Sequence, residues 1–156
     1  MPLNEPVPDF SLPATGGQPF QLSALRGAPL VLYFYPRDAT PGCTDEGLQF
    51  KALHQEFCAL HCTILGISRD TLASHERFRA KLELPFHLLS DSAELACGLF
   101  AVIKDKTLYG KPVRGIERST FLIDAQGVLR QEWRKVAVPH HAQAVLDAVK
   151  SLPSLS

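Results

Sequence analysis

Hydrophobic and polar positions along the chain alternate between two rhythms. Phe10 and Leu12, then Thr15-Gly16-Gly17, then Phe20 and Leu22 predict a small N-terminal hairpin. Leu30-Val31-Leu32-Tyr33-Phe34-Tyr35 is a continuous apolar run rich in strand formers, the pattern of a strand covered on both faces. Pro36 ends it. Phe50, Leu53 and Phe57 at helical spacing predict a helix from about Gly42 to Cys58. Thr63–Ser68 reads as a second buried strand, Thr71–Leu82 as a helix with Phe78 and Leu82 inward, and Phe86–Leu89 as a short strand. A short helix capped by Ser90 or Asp91 follows.

The second half is antiparallel in style. Thr120–Ile123 and Val128–Trp133 flank Asp124-Ala125-Gln126-Gly127, which has the chemistry of a hairpin turn. A last helix is predicted with Pro139 in its first turn and Ala142, Val145, Leu146 and Val149 as its apolar stripe. The order of elements predicts an α/β domain with a mixed central sheet, helices on both faces and an N-terminal hairpin, a thioredoxin-like architecture.

The chain has 156 residues, the length of one domain, and the single-domain expectation spans 1–156 with a loose tail at Ser151–Ser156. Its composition, 46% hydrophobic and 21% charged, excludes disorder as the main state. Sixteen basic residues balance sixteen acidic ones, and no basic run suggests a nucleic-acid partner. No apolar stretch is long enough for a membrane span, and the first residues lack the pattern of a signal peptide. With four cysteines, this predicts a reducing, cytoplasmic setting with free thiols, a reactive thiol or a metal site.

The informative stretch is Pro36-Arg37-Asp38-Ala39-Thr40-Pro41-Gly42-Cys43-Thr44-Asp45-Glu46, where a buried strand gives way to a helix. Sites in open α/β sheets collect at such strand ends. Thr40 is a natural N-cap and Pro41 a natural first helical residue, which makes Cys43 the third. Its sulfur then lies near unpaired amides and the positive end of the helix dipole, a setting that favours thiolate. Asp45 and Glu46 oppose this, so a cation is expected nearby, with Arg118 the candidate. Ionisation alone has limited power: moving a thiol from a pKa of about 8.5 to about 6 raises the thiolate fraction at pH 7 only about 30-fold. A greater rate requires donors aimed at the leaving atom, and the Thr40 hydroxyl, the Cys43 amide and the Arg118 guanidinium are placed to supply them.

Pro36-x-x-x-Thr40-x-x-Cys43 resembles the peroxiredoxin signature. Pro41-Gly42-Cys43-Thr44-x-Glu46 and the downstream Gly115–Asp124 segment resemble the bacterioferritin-comigratory, or Q-type, branch of the AhpC/TSA superfamily, and the likeness runs from Pro8 to the final helix. It implies a thioredoxin fold and thiol-dependent reduction of hydrogen peroxide and organic hydroperoxides, with no cofactor and no metal. It implies Cys43 as the peroxidatic cysteine, oxidised to a sulfenic acid. Thr40 and Arg118 then activate, Pro36 shields the pocket and Glu46 orients the arginine. A monomer is implied, with peroxide and a thiol reductant as partners.

The chain departs from the branch at the resolving cysteine. Five residues beyond Cys43 stands Leu48, and the helix Thr71–Leu82 has no cysteine. The expectation is one-cysteine behaviour, with glutathione, glutaredoxin, thioredoxin or another subunit resolving the sulfenic acid. Cys97 is the alternative internal resolver, with Cys58 or Cys62 behind it; the latter two read as structural. The competing functions are a disulfide reductase on the same fold, opposed by Glu46 in the second place of a Cys-x-x-Cys motif, and a non-enzymatic redox or zinc-binding module. His54, Cys58, His61 and Cys62 have the residue types for zinc, but their spacing crosses from a helix into a strand. His140 and His141 are expected as a solvated pair, and Trp133 as an anchor of the terminal hairpin.

Overall fold

A computed structural model describes residues 1–153. Positions 154–156 of the expected loose tail lie outside the described residues. A five-stranded sheet has the order β5-β4-β3-β8-β9, formed by β3 (Leu30–Phe34), β4 (Thr63–Ser68), β5 (His87–Ser90), β8 (Ser119–Ile123) and β9 (Leu129–Trp133). β3, β4 and β5 run parallel, while β8 and β9 are antiparallel to their neighbours, so the sheet is mixed. The N-terminal hairpin forms from β1 (Ser11–Leu12) and β2 (Phe20–Gln21), with Leu12 opposite Phe20.

Every residue of β3 is buried, because alternate side chains enter two separate cores. Leu30, Leu32 and Phe34 point to one face, against Phe10, Phe20, Phe100 and Phe121. Val31, Tyr33 and Tyr35 point to the other, under α1 (Pro41–Ala52), α2 (His54–Ala59), α3 (Leu72–Leu82) and α5 (His141–Lys150). The short α4 (Leu95–Leu99) covers the first face.

The predicted helix Gly42–Cys58 is two helices broken at Leu53, whose ψ of 3° leaves the helical range. The spacing of Phe50 and Phe57 carries across the break, and their rings sit 6.0 Å apart. A periodic pattern is therefore blind to it. The cap of α4 also differs: Glu94, at φ 59°, occupies the N-cap position, while the Asp91 carboxylate accepts the Cys97 amide at 2.7 Å. The final helix starts at His141 rather than Pro139. A further hairpin, β6 (Ile103–Leu108) with β7 (Lys111–Ile116), has no counterpart in the pattern. Its residues are mostly exposed, so burial imposes no alternation on them. Its turn, Tyr109-Gly110, has φ of 52° and 75°, the paired positive values of a two-residue hairpin turn.

Candidate active site

Chain geometry places Cys43 at the carboxyl end of β3. Thr40 is the extended residue before α1 and Pro41 the first helical one. The Thr44 amide is the first to bond back along the helix, to the Thr40 carbonyl at 2.9 Å. The Gly42 and Cys43 amides therefore precede the ladder and face outward from the helix start. The expected side-chain cap differs in detail. The Thr40 hydroxyl donates to the Arg37 carbonyl at 2.9 Å and takes no amide of α1. The loop turns back at Ala39, φ 63°, and the hydroxyl is left with free lone pairs rather than a free hydrogen.

Arg118 arrives just ahead of β8 and reaches the same helix turn. Its Nη2 donates to Cys43 Sγ at 3.4 Å and its Nη1 to Glu46 Oε1 at 2.6 Å. Cys43 and Glu46 are three residues apart on α1, hence on one face, and both are buried. One planar guanidinium spans both. Burial works against the charge of Arg118, but Glu46 and Cys43 more than offset it and hold its pKa above the ordinary value. Burial pushes the Glu46 carboxyl up to about 7, with the guanidinium opposing the rise only in part. Its other oxygen, Oε2, has no hydrogen-bond partner among the described residues. Pro36, expected to shield the site, is exposed beside the buried Tyr35.

The remaining cysteines stand apart, and all four are free thiols. Cys97 is fully buried in the core on the opposite face of the sheet from Cys43. Burial, with the nearby Asp91, raises its pKa far above the ordinary thiol range. Cys62 shares the Cys43 face but precedes β4 at the far end of the sheet, next to the pairing of Leu30 with Thr63. That separates them by a five-residue strand, about 15 Å at the usual rise. Burial pushes its thiol up to about 12. Cys58 is exposed, not structural as expected. Phe57 takes the inward position on α2 and turns its neighbour out. Leu48, at the place of the missing resolver, is exposed and lines a surface groove of about 670 Å³ between α1 and the Val138–Gln143 segment.

The zinc-like set does not converge. Cys58 Sγ lies 3.5 Å from His54 Nε2 on α2, while Cys62 turns into the core and His61 is exposed. His141 departs from the expected solvated pair. It is buried edge-on to Phe50 and Trp133, and its Nε2 lies 2.8 Å from the Thr120 hydroxyl. Burial and the positive Arg118 push its pKa down to about 4. His140 is exposed as expected. The sequence pattern also gave no sign of the buried Asp38–His75 pair, with Nδ1 of the histidine 2.7 Å from Oδ2 of the aspartate. The spacing of 37 residues between them carries no local signal.

The thioredoxin-fold domain presents a buried cysteine on the first turn of a helix, bonded to an arginine, the groups that thiol chemistry on a peroxide calls for. The chain belongs to the AhpC/TSA family, whose pattern it matches over residues 3–132. It is 52% identical over 151 residues to Peroxiredoxin Bcp of Xanthomonas campestris, covering 96% of this chain and 94% of that protein. A structure of the bacterioferritin comigratory protein from Xanthomonas campestris, described in terms of its alkyl peroxide reduction activity, superposes with a TM-score of 0.88 at 51% identity, covering 91% of this chain and 90% of that one. A cysteine-to-serine variant of Xylella fastidiosa PrxQ superposes with a TM-score of 0.92 at 42% identity, covering 97% and 96%. The chain is a peroxiredoxin and an enzyme, a thiol-dependent peroxidase; the disulfide-reductase and zinc-module alternatives are not favoured.

Proposed function

We propose that Cys43 is the peroxidatic residue and that the chain works as a one-cysteine enzyme on hydrogen peroxide and organic hydroperoxides. The observation that carries this reading is the 3.4 Å contact between Arg118 Nη2 and Cys43 Sγ. The thiolate attacks the terminal peroxide oxygen, a sulfur–oxygen bond forms, and the oxygen–oxygen bond breaks. The leaving oxygen departs with the electron pair and takes a proton, giving water or an alcohol and a Cys43 sulfenic acid. Arg118 and the free Cys43 amide supply donors for the charge that grows on the oxygens. Thr40, with its hydrogen committed to Arg37, accepts the peroxide O–H and orients the molecule. Glu46 holds the guanidinium in place.

An external thiol then displaces the hydroxyl as water and forms a mixed disulfide, and a second thiol releases Cys43. The positions of Cys58, Cys62 and Cys97 support an outside reductant: glutathione, glutaredoxin or thioredoxin. A monomer in the cytoplasm fits the four free thiols and the balanced charge. Among the described residues no helix is long and apolar enough to cross a membrane. Turnover by Cys43→Ser tests the assignment. The expected result is complete loss of peroxide consumption, and substantial residual turnover refutes it.

A further inference from the structure

The loop that delivers Cys43 is anchored on the flank away from Arg118 by a buried polar network centred on Asp38. Tyr35 donates its hydroxyl to Asp38 Oδ1 at 2.6 Å, and Ser74 donates to Oδ2 at 2.8 Å. His75 Nδ1 meets the same Oδ2 at 2.7 Å. Its Nε2 lies 2.9 Å from the Leu89 carbonyl, which can only accept, so that nitrogen carries a hydrogen. The Asp38 amide in turn donates to Asp70 Oδ2 at 3.0 Å. Every polar group of Asp38 outside its own carbonyl is thus engaged. α3 and the end strand β5 are fastened to the loop.

Asp38, Asp70 and His75 place one possible ligand atom each within 4.8 Å of one another, a set that could suggest a cation site. The hydrogen bonds argue for another use. Both Asp38 oxygens already accept from hydroxyls, and His75 Nδ1 faces one of them. A metal would have to compete with two hydroxyl donors and break the direct His75–Asp38 contact.

The clamp sits next to strained backbone. Ala39 adopts φ 63°, a left-handed conformation costly for alanine, and such strain persists only where the surroundings over-determine it. Ala39 lies between Asp38 and Thr40, so its conformation decides where α1 begins. We propose that Asp38, held by His75, Ser74 and Tyr35, is a positioning residue for Cys43, fixing the strained loop that sets the sulfur against the Arg118 guanidinium. This rests on Cys43 being the sulfur that meets peroxide.

The test is the single-turnover rate of Cys43 oxidation by hydrogen peroxide in the full chain, with folding checked by circular dichroism. Asp38→Ala removes the clamp, and a displaced sulfur should react about 10-fold more slowly or worse, since misplacement of about 1 Å can cost 100-fold. Asp38→Asn can rebuild a neutral network. Its amide donates to His75 Nδ1 and to Ser74 while its oxygen accepts from Tyr35, so the rate should return to within about 3-fold of the unsubstituted protein. Such rescue separates positioning from bulk stability. A folded Asp38→Ala at the unsubstituted rate overturns the proposal, as does an Asp38→Asn as slow as Asp38→Ala. Should Asp38→Ala fail to fold, the half-buried Ser74→Ala removes one donor, and an unchanged rate there overturns the proposal equally. Absence of Cys43 oxidation in the unsubstituted protein would refute the underlying assignment instead; normal oxidation with an indifferent Asp38→Ala refutes only the clamp.

Discussion

Gly42 and Arg118 touch so closely that a β-carbon on the glycine would stand 3.0 Å from the guanidinium Nη2. That is the nitrogen that donates to Cys43. Absence of a side chain at Gly42 therefore admits the guanidinium to the first turn of α1. Helix formation would gain from alanine at this place, by less than the about 1 kcal/mol of a helix interior because Gly42 stands in the first turn.

Gly42→Ala should accordingly separate stability from chemistry. The melting temperature should hold or rise, while the rate of Cys43 oxidation falls by about 3- to 10-fold as Nη2 is pushed aside, small displacements at a reacting centre being costly. Stopped-flow oxidation beside a thermal melt checks both halves. An unchanged rate would mean that the guanidinium tip yields without consequence.

Arg118→Ala removes the donor to Cys43 and leaves Glu46 buried without its cation. Loss of one fixed donor to a developing oxyanion costs about 100- to 1,000-fold, and the peroxide rate constant should fall by that order. Arg118→Lys should recover little, because one ammonium cannot reach sulfur and carboxylate as a planar fork does. Retention of the unsubstituted rate by Arg118→Ala removes Arg118 from the mechanism, and retention by Arg118→Lys shows that a single positive charge suffices without the planar fork.

Two buried groups near the site should pull stability in opposite directions with pH. His141, held at about 4 against an ordinary 6.5, contributes stability that is complete above pH 6.5 and lost as pH falls through 4. Glu46, raised to about 7 from 4.5, contributes stability that is complete below pH 4.5 and lost as pH rises through 7. Each shift corresponds to at most about 3 kcal/mol, or on the order of 5–10 °C in melting temperature. The melting-temperature advantage of the unsubstituted protein over His141→Gln should grow between pH 4 and 6.5. Its advantage over Glu46→Gln should shrink between pH 4.5 and 7. Parallel pH trends in the two comparisons contradict the two shifts.

What the sequence made legible follows from how local each signal is. β3 was readable because its apolar run has one interpretation when both faces are covered, and the start of α1 because Thr40-Pro41 marks a helix entry. Arg118 could be named only by the need for a cation and by family resemblance, since 75 residues separate it from Cys43. His141 was misread because its burial is decided by Thr120, Phe50 and Trp133, which only tertiary packing brings to it. Cys58 was misread because its place at a helix end was taken as structural, although Phe57 on the inward stripe already turns the next residue outward. The β6–β7 hairpin escaped notice because an exposed ribbon needs no hydrophobic period.

The remaining thiols should be dispensable for turnover. With Cys97 beyond the sheet and Cys62 a strand's length away, a disulfide to Cys43 would require Cα atoms within about 7 Å. A Cys58→Ser, Cys62→Ala, Cys97→Ala variant should keep peroxide turnover with an external thiol to within about 2-fold, the two buried changes acting only through packing. Collapse of turnover in a folded variant would identify an internal resolver.

The most direct test treats the reduced full chain with one equivalent of hydrogen peroxide and maps the product by peptide mass spectrometry without reduction. One added oxygen on the peptide carrying Cys43, with Cys58, Cys62 and Cys97 still free, is the result this account requires. Oxygen lodged first on another cysteine, or a bridge from Cys43 to one of them, would contradict it.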